Sequence, residues 1–255
     1  MFSFISQWWD ERIIRRSSIS ANQWQRAFER LPLLNRLDEA QRGRLVKMSI
    51  LFLHAKSLEG ARNLTLTDEM RLIIALQACL PVLNLGLTWY RGWTSVIVYP
   101  AQFVPKRKYI DEYGIEHYSE SVLSGESWHT GPLVLSWEDT EHSGVIDGYN
   151  LVIHEFAHKL DVLNGSANGF PPLHRGMNSE HWVKAFSDAY NDIQTRLSHG
   201  QPIPMDSYGA SSPAEFFAVA SEVFFERPES LIQFYPGVYD QLKMFYRQNP
   251  ANPRS

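Results

Sequence analysis

The chain has 255 residues, a formal net charge of -4 and 44% hydrophobic residues. This length and composition predict one compact unit with a sizeable core, and so mild a charge argues against an acidic tail or a nucleic-acid surface. The single cysteine, Cys79, excludes an intrachain disulfide framework, which fits a reducing compartment. Because Cys79 lies in an apolar run, we expect a buried, inert thiol.

The N-terminal stretch MFSFISQWWDERIIRR places its charges after its apolar residues, which is the reverse of a secretory signal. No apolar run approaches the ~20 residues that span a bilayer. We therefore expect a cytoplasmic protein with no membrane segment and no direct nucleic-acid binding. The pair Trp8 and Trp9 could contact a membrane or a partner, but packing of an N-terminal helix onto the core is the simpler expectation.

The first part of the chain, residues 1–90, is predicted to be helical. Ser20 and Gln23 have the spacing of a capping box, and a later apolar helix is expected to start at Thr67 and stop at Pro81. From Thr94 the apolar period changes to two, in TSVIVYP, IEHYSESVL and GPLVLSW, which predicts a small, largely antiparallel sheet. Helical periodicity returns at about 151–163, 179–197, 212–226 and 236–247.

These elements predict an α+β fold that is mostly helical, with the small sheet placed before the helix at 151–163. The chain shows no internal repeat and no clear linker. We therefore expect a single unit over residues 1–255, with a helical N-terminal region at 1–90 and a catalytic core at 91–255.

The stretch NLVIHEFAHKLDVLNG carries the strongest chemical signal. Asn150 or Asp147 can cap the start of a helix, and the Asn-Gly pair after it can end that helix. Residues four apart share a helix face, so His154 and His158 can direct their imidazoles at one point, with Glu155 beside them. This pattern is typical of a zinc site in which a carboxylate acts as general base.

The sequence by itself leaves the third ligand open. The candidates are His174, His181, Asp161, and the carboxylates Glu215 and Glu222 on a later, otherwise apolar helix. Asp161 could instead orient a ligand imidazole or lie at the helix surface. Glu215 could belong to a capping box with Ser212, and Glu222 could be a surface carboxylate or a hydrogen-bond partner for a liganding histidine.

The segments VIHEFAHKLD, GPLVLSW, SVIVYP and AEFFAVASEVFF together resemble the Mlc titration factor A family of bacterial zinc peptidases. The resemblance covers roughly residues 85–247. It implies a zincin-like gluzincin whose catalytic core is related to that of anthrax lethal factor. The family pattern places a tyrosine seven residues before the liganding glutamate, which matches Tyr208 and Glu215 and so favours Glu215 over Glu222 as third ligand.

The resemblance also implies a function. We expect a cytoplasmic, aminopeptidase-like metallopeptidase that acts on peptides and holds one Zn²⁺ through His154, His158 and Glu215. Glu155 would be the general base, and Tyr208 would donate a hydrogen bond to the developing oxyanion. The family further implies binding of the transcriptional repressor Mlc, with an effect on glucose phosphotransferase expression. A regulatory binding protein with a structural or vestigial zinc site is the alternative.

Overall fold

The structure, a computed structural model, describes residues 2–101, 107–110, 116–119 and 131–252. Helices dominate these residues, so the predicted α+β, mostly helical class is confirmed. The helices are α1 (Phe2–Arg16), α2 (Ala21–Glu29), α3 (Glu39–Ala55), α4 (Asp68–Cys79), α5 (Trp137–His142), α6 (Leu151–Asp161), α7 (Ser179–Ser198), α8 (Pro213–Glu226), α9 (Pro228–Phe234) and α10 (Pro236–Tyr246). The strands are β1 (Ser57–Gly60), β2 (Ser95–Tyr99), β3 (Arg107–Ile110), β4 (Glu116–Ser119) and β5 (Leu133–Ser136).

Two N-terminal helices begin at the polar residues that the sequence offers as caps. At α2, the Ser20 hydroxyl accepts the Gln23 backbone N–H while the Gln23 side chain accepts the Ser20 N–H, which is the predicted capping box. Thr67 caps α4 by accepting the Met70 N–H at 3.2 Å. The helix ends at Cys79, whose thiol is buried as predicted, and burial raises its pKa to about 12.

A three-stranded sheet in the order β1-β2-β5 is parallel throughout, so the expected antiparallel direction is wrong for this sheet. In its register Val96 lies opposite both Leu58 and Leu133. The sequence analysis missed β1, and α4 lies between β1 and β2 in the chain. A crossover through a helix returns the chain in its original direction, whereas a period of two identifies strand faces but not strand direction.

The strands β3 and β4 pair antiparallel in a separate two-stranded sheet. The strand expected at IEHYSESVL corresponds to β4 over Glu116–Ser119, and the rest of that segment lies outside the described residues. Among the described residues, no helix combines the length and apolar character that crossing a bilayer requires.

One face of α6 packs on the N-terminal helical part of the molecule. The ring of Phe156 lies 5.7 Å from that of Phe52, 5.0 Å from Tyr90 and 5.7 Å from Trp93, measured between ring centroids. Buried aromatic pairs at these separations add favourable ring contacts to the burial of apolar surface. This contact fixes the rotation of α6, so that the face carrying His154 turns away from the aromatic cluster and toward α8.

The tryptophan pair near the N-terminus does not pack on the core. Trp8 and Trp9 are 54% and 53% exposed, and their rings contact each other edge to face at 5.0 Å. The expected packing of the N-terminal helix is present, because α1 contacts α3, but these two side chains do not take part in it. Apolar content predicted burial, but α1 approaches the rest of the molecule through residues further along, where Ile13 and Ile14 are half-buried.

Candidate metal centre

The helix that carries the His-Glu-x-x-His motif is built as its sequence predicts. Asn150, rather than Asp147, caps α6, because its side-chain oxygen accepts the Ile153 N–H at 3.0 Å. A short 3-10 turn follows the helix and ends at Gly165, whose φ of 126° lies in the region that favours glycine. The two histidines lie one turn apart on the same face of α6, with ring centroids 4.8 Å apart.

Helix α8 brings a carboxylate to these two imidazoles. Ser212 caps the helix by accepting the Glu215 backbone N–H at 3.2 Å, and Pro213 occupies the first turn. The Glu215 side chain does not return to the cap as a full capping box would require. Its Oε2 instead lies 3.0 Å from His154 Nε2 and 3.2 Å from His158 Nε2.

The donor atoms of His154, His158 and Glu215 have the spacing that a small metal ion requires. The two Nε2 atoms are 3.2 Å apart, so the three separations are 3.0, 3.2 and 3.2 Å. In a tetrahedral site with metal–ligand bonds of about 2.05 Å, ligand atoms lie about 3.3 Å apart. All three residues are buried, and two imidazole nitrogens with one carboxylate oxygen form a donor set that suits zinc. The residues present therefore fit a metal ion.

The pKa values of Glu215 and His154 determine how readily these side chains can bind a metal ion. Burial raises the pKa of Glu215, but its hydrogen bonds with His154 and His158 outweigh that effect and lower the pKa to about 2. Burial lowers the pKa of His154, but its hydrogen bonds with Glu215 and Glu222 outweigh burial and raise that pKa well above the ordinary value. Glu215 is thus ionised at neutral pH, as a ligand must be, while protons compete with a metal for the imidazole.

The two imidazoles differ at Nδ1, the ring nitrogen that faces away from the three donor atoms. His154 Nδ1 lies 2.8 Å from Glu222 Oε1, and the other oxygen of Glu222 accepts the Asn150 backbone N–H. This contact fixes the orientation of the ring, so Glu222 supports His154 from behind. His158 Nδ1 is buried without a hydrogen-bond partner among the described residues.

Asp161 does not hydrogen-bond to either imidazole. Its Oδ2 accepts the Gly169 N–H at 2.8 Å, and burial raises its pKa to about 6. Gly169 has a φ of 74°, and a Cβ there would lie 2.3 Å from the Pro213 carbonyl oxygen. Only glycine fits at this point, where the loop passes close to the start of α8. The hydrogen bond from Gly169 to Asp161 connects that loop to the end of α6.

The carboxyl group of Glu155 lies next to the three donor atoms and is half-buried. Burial raises its pKa, while the nearby His154 and His158 lower it less strongly. One turn further along α6, Lys159 donates a hydrogen bond to the Gly131 carbonyl oxygen at 3.0 Å. This bond connects the motif helix to the segment that leads into β5.

Tyr208 reaches the same region from a 3-10 turn over Ser207–Ala210. Asp206 caps that turn by accepting the Tyr208 backbone N–H at 2.7 Å. The phenol ring lies 5.9 Å from the His154 ring, between centroids, and the residue is 40% exposed. Its side chain therefore borders the donor group and is open to solvent.

The two other histidines considered as ligands lie elsewhere. His174 Nε2 is 2.7 Å from the Phe245 carbonyl oxygen, and its ring packs against Trp89. His181 is exposed near the start of α7. The structure thus joins Glu215, and neither of these histidines, to the pair on α6.

Sequence reasoning missed Glu226, which is buried beside the same contact between α6 and α8. It follows Glu215 and Glu222 by eleven and four residues, so all three carboxylates lie on one face of an apolar helix. That spacing is a readable signal, because a buried carboxylate needs partners. The partners of Glu226 are the loop residues before α6 and are visible only in three dimensions.

A buried His-His-Glu group on two packed helices, with a glutamate beside it, is the arrangement of a metallopeptidase. Comparison with known proteins agrees. The family model for glucose-regulated metallo-peptidase M90 matches residues 5–247, and the chain belongs to this family.

The chain is also similar to Mlc titration factor A from Yersinia pestis (strain Pestoides F) and from Yersinia pseudotuberculosis (serotype O:1b, strain IP 31758). Each is 41% identical to it over 231 residues, which is 89% of this chain and 85% of the relative. The resemblance inferred from the motifs is therefore confirmed over most of the chain.

Proposed function

We propose that this protein is a zinc-dependent peptidase with aminopeptidase-like specificity, working in the cytoplasm. The observation that carries the proposal is the convergence of two imidazole nitrogens and one carboxylate oxygen within 3.2 Å of one another, with Glu155 beside them. A site that only stabilised the fold would need the ligands but not an adjacent, half-buried carboxylate.

His154, His158 and Glu215 would hold one Zn²⁺ per chain. When bound, the ion supplies Lewis-acid activation of a water molecule and of the substrate carbonyl. Glu222 keeps the His154 ring turned so that Nε2 faces the other donors, because its carboxylate occupies Nδ1. The three ligands come from two helices whose packing is fixed by the core, so the site is preorganised.

Glu155 would accept the proton of the attacking water and pass it to the leaving amine. Its position one residue after His154 places the carboxylate at the edge of the donor group rather than within it. Tyr208 would donate its phenolic hydrogen to the oxygen that becomes negatively charged as the carbonyl is attacked. The half-exposed position of its ring, beside His154, allows it to meet a substrate there.

An extended peptide could bind along the edge of β5, which leads directly into α5 and the motif region. Main-chain hydrogen bonds to a strand edge would fix the scissile bond without selecting side chains. The family resemblance supports preference for a free N-terminus. Comparing aminoacyl anilides with their N-acetylated forms tests this, since equal hydrolysis of both would exclude an aminopeptidase-like site.

The decisive experiment combines metal analysis with hydrolysis in wild type and Glu155→Gln. We expect one tightly bound zinc per chain in both proteins, and hydrolysis of peptide or aminoacyl anilides only in the wild type. Zinc binding with no hydrolysis in the wild type would support the alternative, a regulatory binding protein. Loss of zinc from Glu155→Gln would instead mean that Glu155 holds the site together.

The printed name of the relatives supports a second part of the proposal, that this chain binds the repressor Mlc and thereby affects glucose phosphotransferase expression. We expect repressor binding to use a surface separate from the donor group. The exposed aromatic residues Trp8, Trp9 and Phe234 are candidates for that surface.

Affinity for purified repressor in wild type, Glu155→Gln and Trp8→Ser/Trp9→Ser tests this second part. Surface substitutions are preferable to removal of the C-terminal segment, because Leu242, Phe245 and Tyr246 of α10 are buried in the core. Unchanged binding by Glu155→Gln would support separate surfaces. Loss of binding in Glu155→Gln alone would indicate that the repressor enters the cleft.

A further inference from the structure

A buried polar network lies at the start of α6, behind the donor group. The side chain of Asn150 is fully buried, and its Nδ2 lies 2.9 Å from Gln77 Oε1 on α4, 3.0 Å from the Ser143 carbonyl oxygen and 3.0 Å from Glu226 Oε1 on α8. The other oxygen of Glu226 accepts the Gly148 N–H at 2.9 Å. One amide therefore joins α4, the loop before α6, and α8.

The hydrogens in this network can be counted. Asn150 Nδ2 carries two hydrogens but has three acceptor oxygens around it. The amides cannot be turned to correct the count, because Asn150 Oδ1 accepts the Ile153 N–H and Gln77 Nε2 donates to the Ile73 carbonyl oxygen. Two hydrogens are therefore shared among three buried acceptor oxygens, and the Glu226 carboxyl group competes with Gln77 and Ser143 for them.

The surroundings of Glu226 favour its neutral form. The residue is 2% exposed, and its carboxylate would have to be desolvated to ionise. The pKa of Glu226 is raised to about 8, first by burial, and further by the nearby charges of Asp147 and Glu222, against the opposing effect of its hydrogen bonds with Asn150 and Gly148. Two cations are nearby: Arg36 donates to the Glu226 backbone carbonyl and Arg227 to that of Asp147.

We propose that Glu226 and Asn150 are positioning residues, a carboxyl group and an amide that together fix the start of α6 against α8 and so aim His154 at Glu215. The connection to the donor group is short. The backbone N–H of Asn150 binds Glu222, and the same Glu222 carboxylate binds His154 Nδ1. A shift of the α6 start would therefore move both the helix and the group that orients its first histidine.

This inference rests on the proposed zinc site, but its test does not depend on catalysis. Zinc affinity and the visible absorption spectrum of the Co²⁺-substituted chain are measured for wild type, Glu226→Gln and Glu226→Ala. Glutamine keeps the volume but places an amino group against either Asn150 Nδ2 or the Gly148 N–H, so we expect its loss of zinc affinity to be smaller than that of Glu226→Ala but measurable. For Glu226→Ala we expect roughly tenfold weaker zinc binding and an altered cobalt spectrum, as when a supporting partner of a ligand is removed.

Ser221→Ala is the matched control. Ser221 is buried on the same helix and accepts a hydrogen bond from Tyr246 at 2.8 Å, so its loss should lower stability without changing the metal readouts. If Glu226→Ala does not fold, Glu226→Met replaces it, because methionine fills the volume without joining the network. Side-chain nitrogen NMR shifts of His154 in the metal-free chain give a readout that does not require zinc.

The outcomes distinguish a failure of the proposed zinc site from a failure of the positioning role of Glu226. Failure of the wild type to bind zinc would sink the proposed function, and the NMR shifts of His154 would still test the positioning role. Unchanged zinc affinity, cobalt spectrum and His154 shifts in a folded Glu226→Ala or Glu226→Met would overturn the positioning role.

Discussion

The two ends of the contact between α6 and α8 satisfy their polar groups in different ways. At the end that carries Glu215, the open end, three buried donor atoms face one another beside the half-exposed Tyr208. At the other end, the closed end, Glu222 and Glu226 are buried and bonded to the loop that starts α6. The same helix face thus carries a candidate metal ligand at one end and structural hydrogen bonds at the other.

This contrast shows how a single helix pair can be both rigid and reactive. Buried polar groups that are fully bonded specify one packing arrangement, because any shift leaves a carboxyl or amide unsatisfied. At the open end the donor atoms of His154, His158 and Glu215 can stay close together, because the hydrogen bonds of the closed end hold the two helices in place. The contrast predicts that substitutions at the open end change chemistry or metal binding with small effects on folding. Substitutions at the closed end should lower stability and affect metal binding only indirectly, through the position of His154.

The largest effect is expected at the open end, for Glu155→Gln. Hydrolysis should fall by ~100- to 10,000-fold, because the amide cannot shuttle the proton, while zinc content stays at one per chain. Turnover of a peptide or aminoacyl anilide, with metal analysis of the same sample, measures this. Retention of most of the activity would mean that a group other than Glu155 acts as the general base.

Removal of a ligand should affect the metal more than removal of the group behind it. Glu215→Ala is expected to weaken zinc binding by more than ~100-fold, and Glu222→Ala by ~10- to 100-fold, because Glu222 acts only through His154. Competition with a chelator gives both affinities. A reversed order would make Glu222 the third ligand and reduce Glu215 to a residue of the α8 cap.

Tyr208→Phe tests the edge of the open end. We expect turnover to fall by ~10- to 1,000-fold with unchanged zinc content, the range for loss of one donor to a developing oxyanion. Its thermal unfolding midpoint should stay close to that of the wild type, because the side chain is 40% exposed. Equal turnover in the two proteins would make Tyr208 a surface residue of the 3-10 turn.

The last expected effect is a pH dependence of stability at the closed end. The pKa of Glu226 is about 8 in the folded chain and lower when unfolded, so the native state holds an extra proton between pH ~4.5 and 8. Its contribution is fully present below that window and is lost as the pH rises through it, by at most about 1.4 kcal/mol per pH unit.

Urea unfolding of the metal-free chain at several pH values measures this slope. Glu226→Gln should flatten it relative to the wild type, since glutamine does not titrate, while Asp147, Glu222, Arg36 and Arg227 remain in both proteins. Parallel pH profiles for the two proteins would mean that folding does not raise the pKa of Glu226.

Local patterns determined much of this molecule. The capping residues Ser20, Thr67 and Asn150 begin their helices as expected, since a cap and its helix are neighbours in sequence. The spacing of His154 and His158 places them on one face for the same reason, as a helical turn is a property of the local backbone. Helical content and the buried thiol of Cys79 also follow from periodicity and composition.

Only the tertiary structure decided what depends on distant segments. The sequence by itself could not choose among His174, His181, Asp161, Glu215 and Glu222, because the contact of α6 with α8 joins residues about 60 positions apart. The strands β1 and β2 are parallel because α4 crosses over between them, and alternation of apolar residues carries no direction. Trp8 and Trp9 are exposed although they are apolar, and Glu226 is buried although it is a carboxylic acid. Burial is decided by which surfaces meet, and the partners that make an acid tolerable inside the protein, Asn150 and Gly148, are brought to it by the fold.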